Sequence, residues 1–393
     1  MDQAHGFCAP GWEGVRDAFA GNLTAGLEVG AAYSVHHEGR LVVDLWGGTY
    51  RPDTIQLVFS TTKGWTAALA NLLVERGQLD LDAPVASYWP EFAAEGKGTI
   101  PVRWLLTHQA GLPYPTEACT LEDVLSWDGV VAKLAASTPQ WEPGTAHGYH
   151  AVTYGFLVGE VLRRVTGSTV GELFAAEVAR PLGLDAWIGL PADQEPRVEP
   201  LVGGLTPDVG AEVDPQMRAM LEQFMGPESA LGKALTCNGA LGEAGVFNRP
   251  EVRAAEIPAA NGVTDARSLS RLYASLIGGV EADERFPAAA RVLAPETVAA
   301  ASTCQTSGND RSLFFETTFG LGFMTASPFS PYGGPRGFGH AGAGGSVGFA
   351  DPDAALGCGY VMSKMSMNLS GDPRSQALTR ATYDAIGVEP AFA

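Results

Sequence analysis

Residues 58–85 read VFSTTKGWTAALANLLVERGQLDLDAPV. Trp65, Ala68, Leu72 and Leu73 recur at helical spacing, and the pattern stops at Arg76-Gly77, a helix followed by a glycine stop. At its start stand Ser60 and Lys63, three residues apart and so neighbours on one helix face. A serine there serves as a helix cap. It can also serve as a nucleophile beside a base, provided burial or a nearby cation lowers the lysine pKa. The tetrad alone does not choose between the two. Chemistry requires a further hydroxyl or base from another element, and an oxyanion hole.

The chain has 393 residues, 46% hydrophobic and 18% charged, which fits two domains or one large core carrying an insertion. Its formal charge of −19, from 44 acidic and 25 basic residues, argues against nucleic-acid and anionic-membrane partners. The start, MDQAHGFCAPGWEGVRDAF, lacks the basic then apolar regions of a signal peptide. No segment approaches the ~18 continuous apolar residues of a membrane span. Cys8, Cys119, Cys237, Cys304 and Cys358 are scattered, with no paired spacing, so neither a disulfide framework nor a zinc site is expected. Reduced thiols in a cytoplasm are the expectation, with no metal and no cofactor. The oligomeric state is left open and allows a homo-oligomer.

Residues 11–28 read as a helix. GAAYSVHHEGRLVVDLWGGTY, residues 30–50, reads as a hairpin turning at Glu38-Gly39, with His36-His37 solvated beside the turn. From about 85 to 255, helical stretches alternate with Pro and Gly loops. Strand signals return at 319–324, 336–342, 345–350 and 356–362, and 374–386 reads as a closing helix. The pattern predicts one sheet assembled from both chain ends with a mainly helical insertion between.

Two serine motifs compete. Gly344-Gly345-Ser346-Val347-Gly348 matches the G-x-S-x-G elbow, but that motif needs a helix after the serine. Here Val347 to Pro352 reads as a strand running into a turn, which leaves Ser60 the better candidate.

The segment Val58–Lys63, followed by Gly77–Val85 and by Leu105-Leu106-Thr107-His108-Gln109-Ala110-Gly111-Leu112, resembles the serine β-lactamase-like family. Within it the chain is most similar to class C β-lactamases, D-alanyl-D-alanine carboxypeptidases and, above all, family VIII carboxylesterases. The resemblance implies an α+β fold in which an antiparallel sheet is flanked by helices. Residues 1–85 and 256–393 would form that sheet domain and 86–255 a mainly helical one, with the active site at their interface. It implies Ser60 as nucleophile, with Lys63 and Tyr149 sharing proton transfer and a lysine lowering the phenol pKa. Ala151 stands where the family's tyrosine motif has an asparagine that holds the side chain of a β-lactam. His340-Ala341-Gly342 stands for the family's Lys-Thr-Gly strand, with Gly342 letting substrate approach the backbone. A titrating histidine in place of a fixed lysine charge weakens recognition of a substrate carboxylate. The backbone N–H groups of Ser60 and Ala343 would form the oxyanion hole.

Without the resemblance, Tyr149 reads equally as a packing aromatic and His340 as a structural histidine. His108 reads as a loop brace. Trp89, Trp141, Trp187, Phe315 and Phe323 are candidates for an acyl pocket. The expected activity is hydrolysis of short-chain carboxylic esters, a small-molecule partner. A β-lactamase or small linear amide hydrolase of the same fold is the alternative, and an inactive binding relative is the alternative of another class.

Overall fold

The computed structural model describes residues 3–204 and 222–392. Residues 205–221, inside the segment expected to be mainly helical, lie outside the described residues. Twelve strands are described: β1 His5–Cys8, β2 Gly30–His37, β3 Arg40–Gly48, β4 Gln56–Leu57, β5 Ala186–Trp187, β6 Val263–Thr264, β7 Thr306–Asn309, β8 Glu316–Phe319, β9 Met324–Thr325, β10 Phe338–Ala341, β11 Val347–Asp351 and β12 Leu356–Met362. Nine of them form one antiparallel sheet in the order β1-β3-β2-β12-β11-β10-β9-β8-β7. The seam between β2 and β12 joins the two chain ends, pairing Tyr33 with Tyr360 and His37 with Leu356. The sheet therefore comes from both ends of the chain, as the sequence pattern predicts. A small sheet of β4, β6 and β5 lies beside it.

Helices cover both faces of the large sheet, and successive side chains of a strand alternate between them. On β12, Tyr360 and Met362 pack with helices Glu13–Thr24 and Pro373–Ala385 through Phe19, Leu378 and Tyr383. Val361 points to the other layer, with Trp65, Leu69 and Tyr273 of helices Thr62–Glu75 and Ala266–Ile277. Gly357 and Gly359 make that second contact close. A Cβ on Gly357 would lie 2.4 Å from the Ala274 nitrogen, and one on Gly359 2.5 Å from the Ala266 oxygen. The helix backbone rests directly on the strand.

Two segments depart from expectation. His36 is fully buried instead of solvated, its Nδ1 2.9 Å from Ser270 Oγ of the covering helix. Residues 319–324 are not one strand but the tight end of the β8–β9 hairpin, closed by Gly320 N–H donating to Phe323 O at 2.8 Å. Helix Ala266–Ile277 carries Leu269, Leu272, Tyr273 and Leu276 at helical spacing and also buries polar groups beside them. Arg271 sits at 0% exposure and donates to the Leu182 and Glu281 carbonyls at 2.9 and 3.0 Å.

The Glu38-Gly39 turn forms as read, both residues at positive φ. The residue 58–85 stretch forms helix Thr62–Glu75, ending before Gly77 at φ +68°. Between Val85 and Ala254 the described elements are helical apart from β5. Among the described residues no helix is long and apolar enough to cross a membrane, and the five cysteines are free thiols.

Candidate active site

Three elements converge on Ser60. The first is its own turn. After β4 the chain passes through Phe59–Thr61, a single 3₁₀ turn, into helix Thr62–Glu75. Phe59 stands at φ +46°, a conformation rarely taken by a bulky residue and concentrated at functional sites. Neither Ser60 nor the N-cap residue Thr61 caps the helix with its side chain, which removes the capping explanation of the serine. Instead Ser60 Oγ lies 3.0 Å from Lys63 Nζ, half-buried where its neighbours are buried.

Lys63 is fully buried with no carboxylate partner. Its Nζ donates to the carbonyls of Ala151 at 2.6 Å and Ala259 at 3.0 Å. Burial alone holds its pKa well below the ordinary lysine value, because the low-dielectric surroundings disfavour the cation. As a neutral amine, Lys63 would place two hydrogens on the two carbonyls and turn its lone pair towards Ser60 Oγ. Ala151, where the family asparagine is absent, thus serves the site through its backbone oxygen.

The second element is the loop before helix Thr153–Thr166, which carries Tyr149. Lys63 Nζ lies 4.7 Å from the centre of the Tyr149 ring. The expected lowering of the phenol pKa by the lysine is not what the structure shows. Burial raises it, and the Ser60 side chain opposes that shift only in part. Both groups are driven towards their neutral forms.

The loop is held from below by His108, as read. His108 O accepts from Gly148 N–H at 3.1 Å and His108 Nδ1 from His150 N–H at 3.1 Å. Sequence reading missed the clamp from the other side. Asp310, buried in the β7–β8 loop, accepts through Oδ1 from Tyr149 N–H at 2.9 Å and from the N–H groups of Ser312 and Leu313, each at 2.8 Å. Its Oδ2 accepts from Thr317 Oγ1 at 3.1 Å. The only local signal is an aspartate two residues before a serine, the pattern of an Asx turn.

The third element is β10 and the turn after it. His340 is buried, its Nδ1–H donating to Ala341 O at 2.7 Å and its Nε2 without a partner. Burial, with the nearby Lys63, pushes its pKa down to about 3, so it is a neutral ring at physiological pH and not the titrating group expected. Its ring centre lies 6.0 Å from that of Tyr149. The space that Gly342 leaves open is taken by the nucleophile turn. A Cβ there would meet Val58 O and Ser346 Oγ at 2.2 Å each. Ser346, the rival serine, is fully buried and donates to Val58 O at 2.8 Å, tying the β10–β11 turn to the Ser60 turn. Ala343 is the buried residue after Gly342 in that turn.

The expected pocket aromatics scatter. Trp89 packs on Phe92 and Phe323 on Phe338 in the core, Trp187 belongs to β5, and Phe315 is exposed. Trp141 packs edge-on to His150 of the tyrosine loop. A cavity of about 230 Å³ is lined instead by Phe59, the residue before Ser60, with Leu235, Leu241, Phe247 and Met365, among others. Among the described residues, no cluster of three or more His, Cys, Asp or Glu is arranged to hold a metal ion.

The beta-lactamase family model matches residues 15–382. Esterase/beta-lactamase LipL of Mycobacterium tuberculosis (strain ATCC 25618 / H37Rv) is 34% identical over 361 residues, 88% of this chain and 80% of LipL. A crystal structure of a family VIII carboxylesterase superposes with a TM-score of 0.85 at 38% identity, covering 98% of this chain and 100% of its own. EstA from Arthrobacter nitroguajacolicus Rue61a superposes with a TM-score of 0.86 at 37% identity, covering 97% of this chain and 98% of EstA. Matched along nearly its whole length in sequence and in architecture, the chain is a serine hydrolase and belongs to the beta-lactamase family.

Proposed function

We propose that the protein is a carboxylesterase that cleaves short-chain carboxylic esters through an acyl-enzyme on Ser60. The observation that carries this reading is the 3.0 Å approach of Ser60 Oγ to a buried lysine whose other two contacts are carbonyl oxygens. Neutral Lys63 takes the Ser60 proton as Oγ attacks the ester carbonyl. The oxyanion is held by the backbone N–H groups of Ser60 and Ala343. The Tyr149 hydroxyl, kept protonated by burial, gives its proton to the departing alkoxide and regains one from the Lys63 ammonium, which returns the base to its neutral form. In the second half water attacks the acyl carbon, its proton passes to the same pair, and the acid leaves with Ser60 regenerated.

The buried, neutral His340 and the alanine at 151 favour an ester over a β-lactam. Neither supplies the fixed charge or the amide that would grip a carboxylate or an acylamino group. The family VIII carboxylesterase neighbour supports the same substrate class, while the printed name of LipL, esterase/beta-lactamase, covers both. The reaction centre lies between the mainly helical 86–255 segment and the sheet domain of 1–85 and 256–393, and the free thiols fit a cytoplasmic protein.

The test is hydrolysis of p-nitrophenyl acetate, nitrocefin and a short linear amide by the wild type, Ser60→Ala and Ser346→Ala. Ester hydrolysis is expected to dominate and to vanish in Ser60→Ala. Activity that survives in Ser60→Ala and is lost in Ser346→Ala refutes the assignment. Faster turnover of nitrocefin or of the amide moves it to the β-lactamase or amidase alternative.

A further inference from the structure

Three phenylalanines stand exposed near the site: Phe224 at 39%, Phe314 at 53% and Phe315 at 61%. Phe314 does so at φ +62°, where a bulky side chain is an outlier and asparagine or glycine the usual occupant. Its loop is the one that braces Tyr149. Phe314 N–H donates to Asp310 O at 2.9 Å and Asp310 N–H to Phe315 O at 2.8 Å, while the Asp310 carboxylate holds Tyr149 N–H. Leu313 anchors the loop in the buried cluster that includes Phe59, Tyr149 and Ala343.

Across the surface, the Phe314 ring meets Phe224 edge-to-face, centres 5.8 Å apart. Met225, the next residue, lines the 230 Å³ cavity. Two residues of the cavity lining adjoin the segments of the candidate site. Phe59 precedes Ser60, and Met365 lies against Gly344, where a Cβ would stand 2.9 Å from Met365 Cγ, one residue beyond Ala343. Apolar side chains thus run from the Phe224–Phe314 pair, through Met225 in the cavity wall, to Phe59 next to Ser60 in the chain.

We propose, building on the ester-hydrolase reading, that this path receives one substituent of the ester, an extended apolar group, while the other substituent is small. Phe224 and Phe314 are the specificity-determining residues that hold its outer part. The cavity of about 230 Å³ has room for an apolar substituent of several carbons. The strained conformation of Phe314 then serves to aim an aromatic ring at the entrance, a service that no contact within the core demands.

The experiment compares p-nitrophenyl acetate, p-nitrophenyl octanoate and octyl acetate on the wild type, Phe314→Asn and Phe224→Gln. Asparagine tolerates the left-handed backbone, so the first variant keeps the loop conformation while removing the ring. The octanoate and the octyl ester separate an acyl-side from an alcohol-side occupant. The wild type is expected to prefer one of the two long esters to p-nitrophenyl acetate in kcat/KM. Each variant is expected to cut that preference about tenfold through KM, the scale of a methylene or two of apolar contact. A preference unchanged in both variants, or an equal loss on all three esters, overturns the proposal. So does a wild type that favours the acetate. Loss of Ser60-dependence on all three esters is a different result and refutes the esterase reading itself.

Discussion

Substituting Gly342 by alanine probes how the site is assembled. Gly342 does not occupy the left-handed region, so its backbone suits alanine and the effect of the change is one of contact alone. The new Cβ would lie 2.2 Å from Val58 O, 2.2 Å from Ser346 Oγ and 3.0 Å from Thr61 Oγ1. Ordinary contacts need ~3.5 Å, so the end of β10 and the Ser60 turn must part by about an ångström. Both are anchored: Val58 N–H donates to Gly262 O at 2.9 Å, and Gly342 N–H to Ser346 O at 2.7 Å. Overpacking of this kind costs about 1–3 kcal/mol, which lowers Tm by a few degrees in a chain of this size. The effect on rate should be larger. A 1 Å displacement between a nucleophile and the groups that serve it costs on the order of 100-fold.

The prediction for Gly342→Ala is thus a folded protein, a modest fall in Tm, and kcat for p-nitrophenyl acetate down about 100-fold with KM little changed. Steady-state kinetics and thermal melting monitored by circular dichroism read the two quantities separately. Adding Ser346→Ala removes one of the two 2.2 Å clashes and leaves the Val58 carbonyl, so recovery should be partial. A Gly342→Ala enzyme with wild-type kcat and unchanged Tm refutes the idea that β10 is seated against the nucleophile turn. Complete recovery in the double variant assigns the clash to Ser346 alone.

If neutral Lys63 is the base, kcat/KM rises with pH as the residue loses its proton and levels off well below the ordinary lysine pKa of ~10.4; Lys63→Arg, which stays charged, should fall 10²–10⁴-fold, roughly the worth of a general base. Asp310→Ala leaves the N–H groups of Tyr149, Ser312 and Leu313 without their acceptor, at about 1–3 kcal/mol for each buried donor, and lowers kcat with stability in a guanidinium titration. Asp310→Asn keeps one oxygen and should retain more of both. Acid should also weaken the fold. His36, His150 and His340 are held by burial at about 3, so between that value and ~6.5 the unfolded chain binds protons that the folded chain refuses. Their contribution is complete above ~6.5 and is lost as pH falls towards 3, by roughly 2 kcal/mol for each histidine at pH 5. His36→Asn, which lies away from Ser60 against Ser270, should lower the pH 4–6 slope of the unfolding free energy by about one proton; an unchanged slope refutes this.

What was legible in the sequence follows from which interactions are local. β10 to β12 are apolar runs bounded by turn residues, and helix Thr62–Glu75 carries its own periodicity and stop, so both could be read. β1 could not, since its four residues lie at the sheet edge with mostly exposed side chains and only its pairing with β3 defines it. Helix Ala266–Ile277 shows its apolar face in Leu269, Leu272, Tyr273 and Leu276, but the burial of its Ser268, Ser270 and Arg271 could not be read. The bonds that let them be buried come from residues far along the chain. His36 misled for the same reason.

The site divides along the same line. Ser60, Lys63 and Tyr149 stand in recognisable motifs, but nothing in those motifs makes Lys63 a base. A lysine three residues after a serine on an exposed helix would be a solvated cation, protonated at neutral pH. The proposed mechanism needs it as a base, and its surroundings favour the neutral form: Ala151 O, 88 residues downstream, and Ala259 O, 196 residues downstream, accept its hydrogens where, among the described residues, no anion lies beside it. An uncompensated buried cation is strongly disfavoured, so losing the proton is the inexpensive way to fold. Asp310 acts at one further remove, fixing Tyr149 through its backbone and not its phenol. Residues that build a reaction centre by closing off water or holding a loop carry no motif of their own. They are found only when the chain has brought them to the same place.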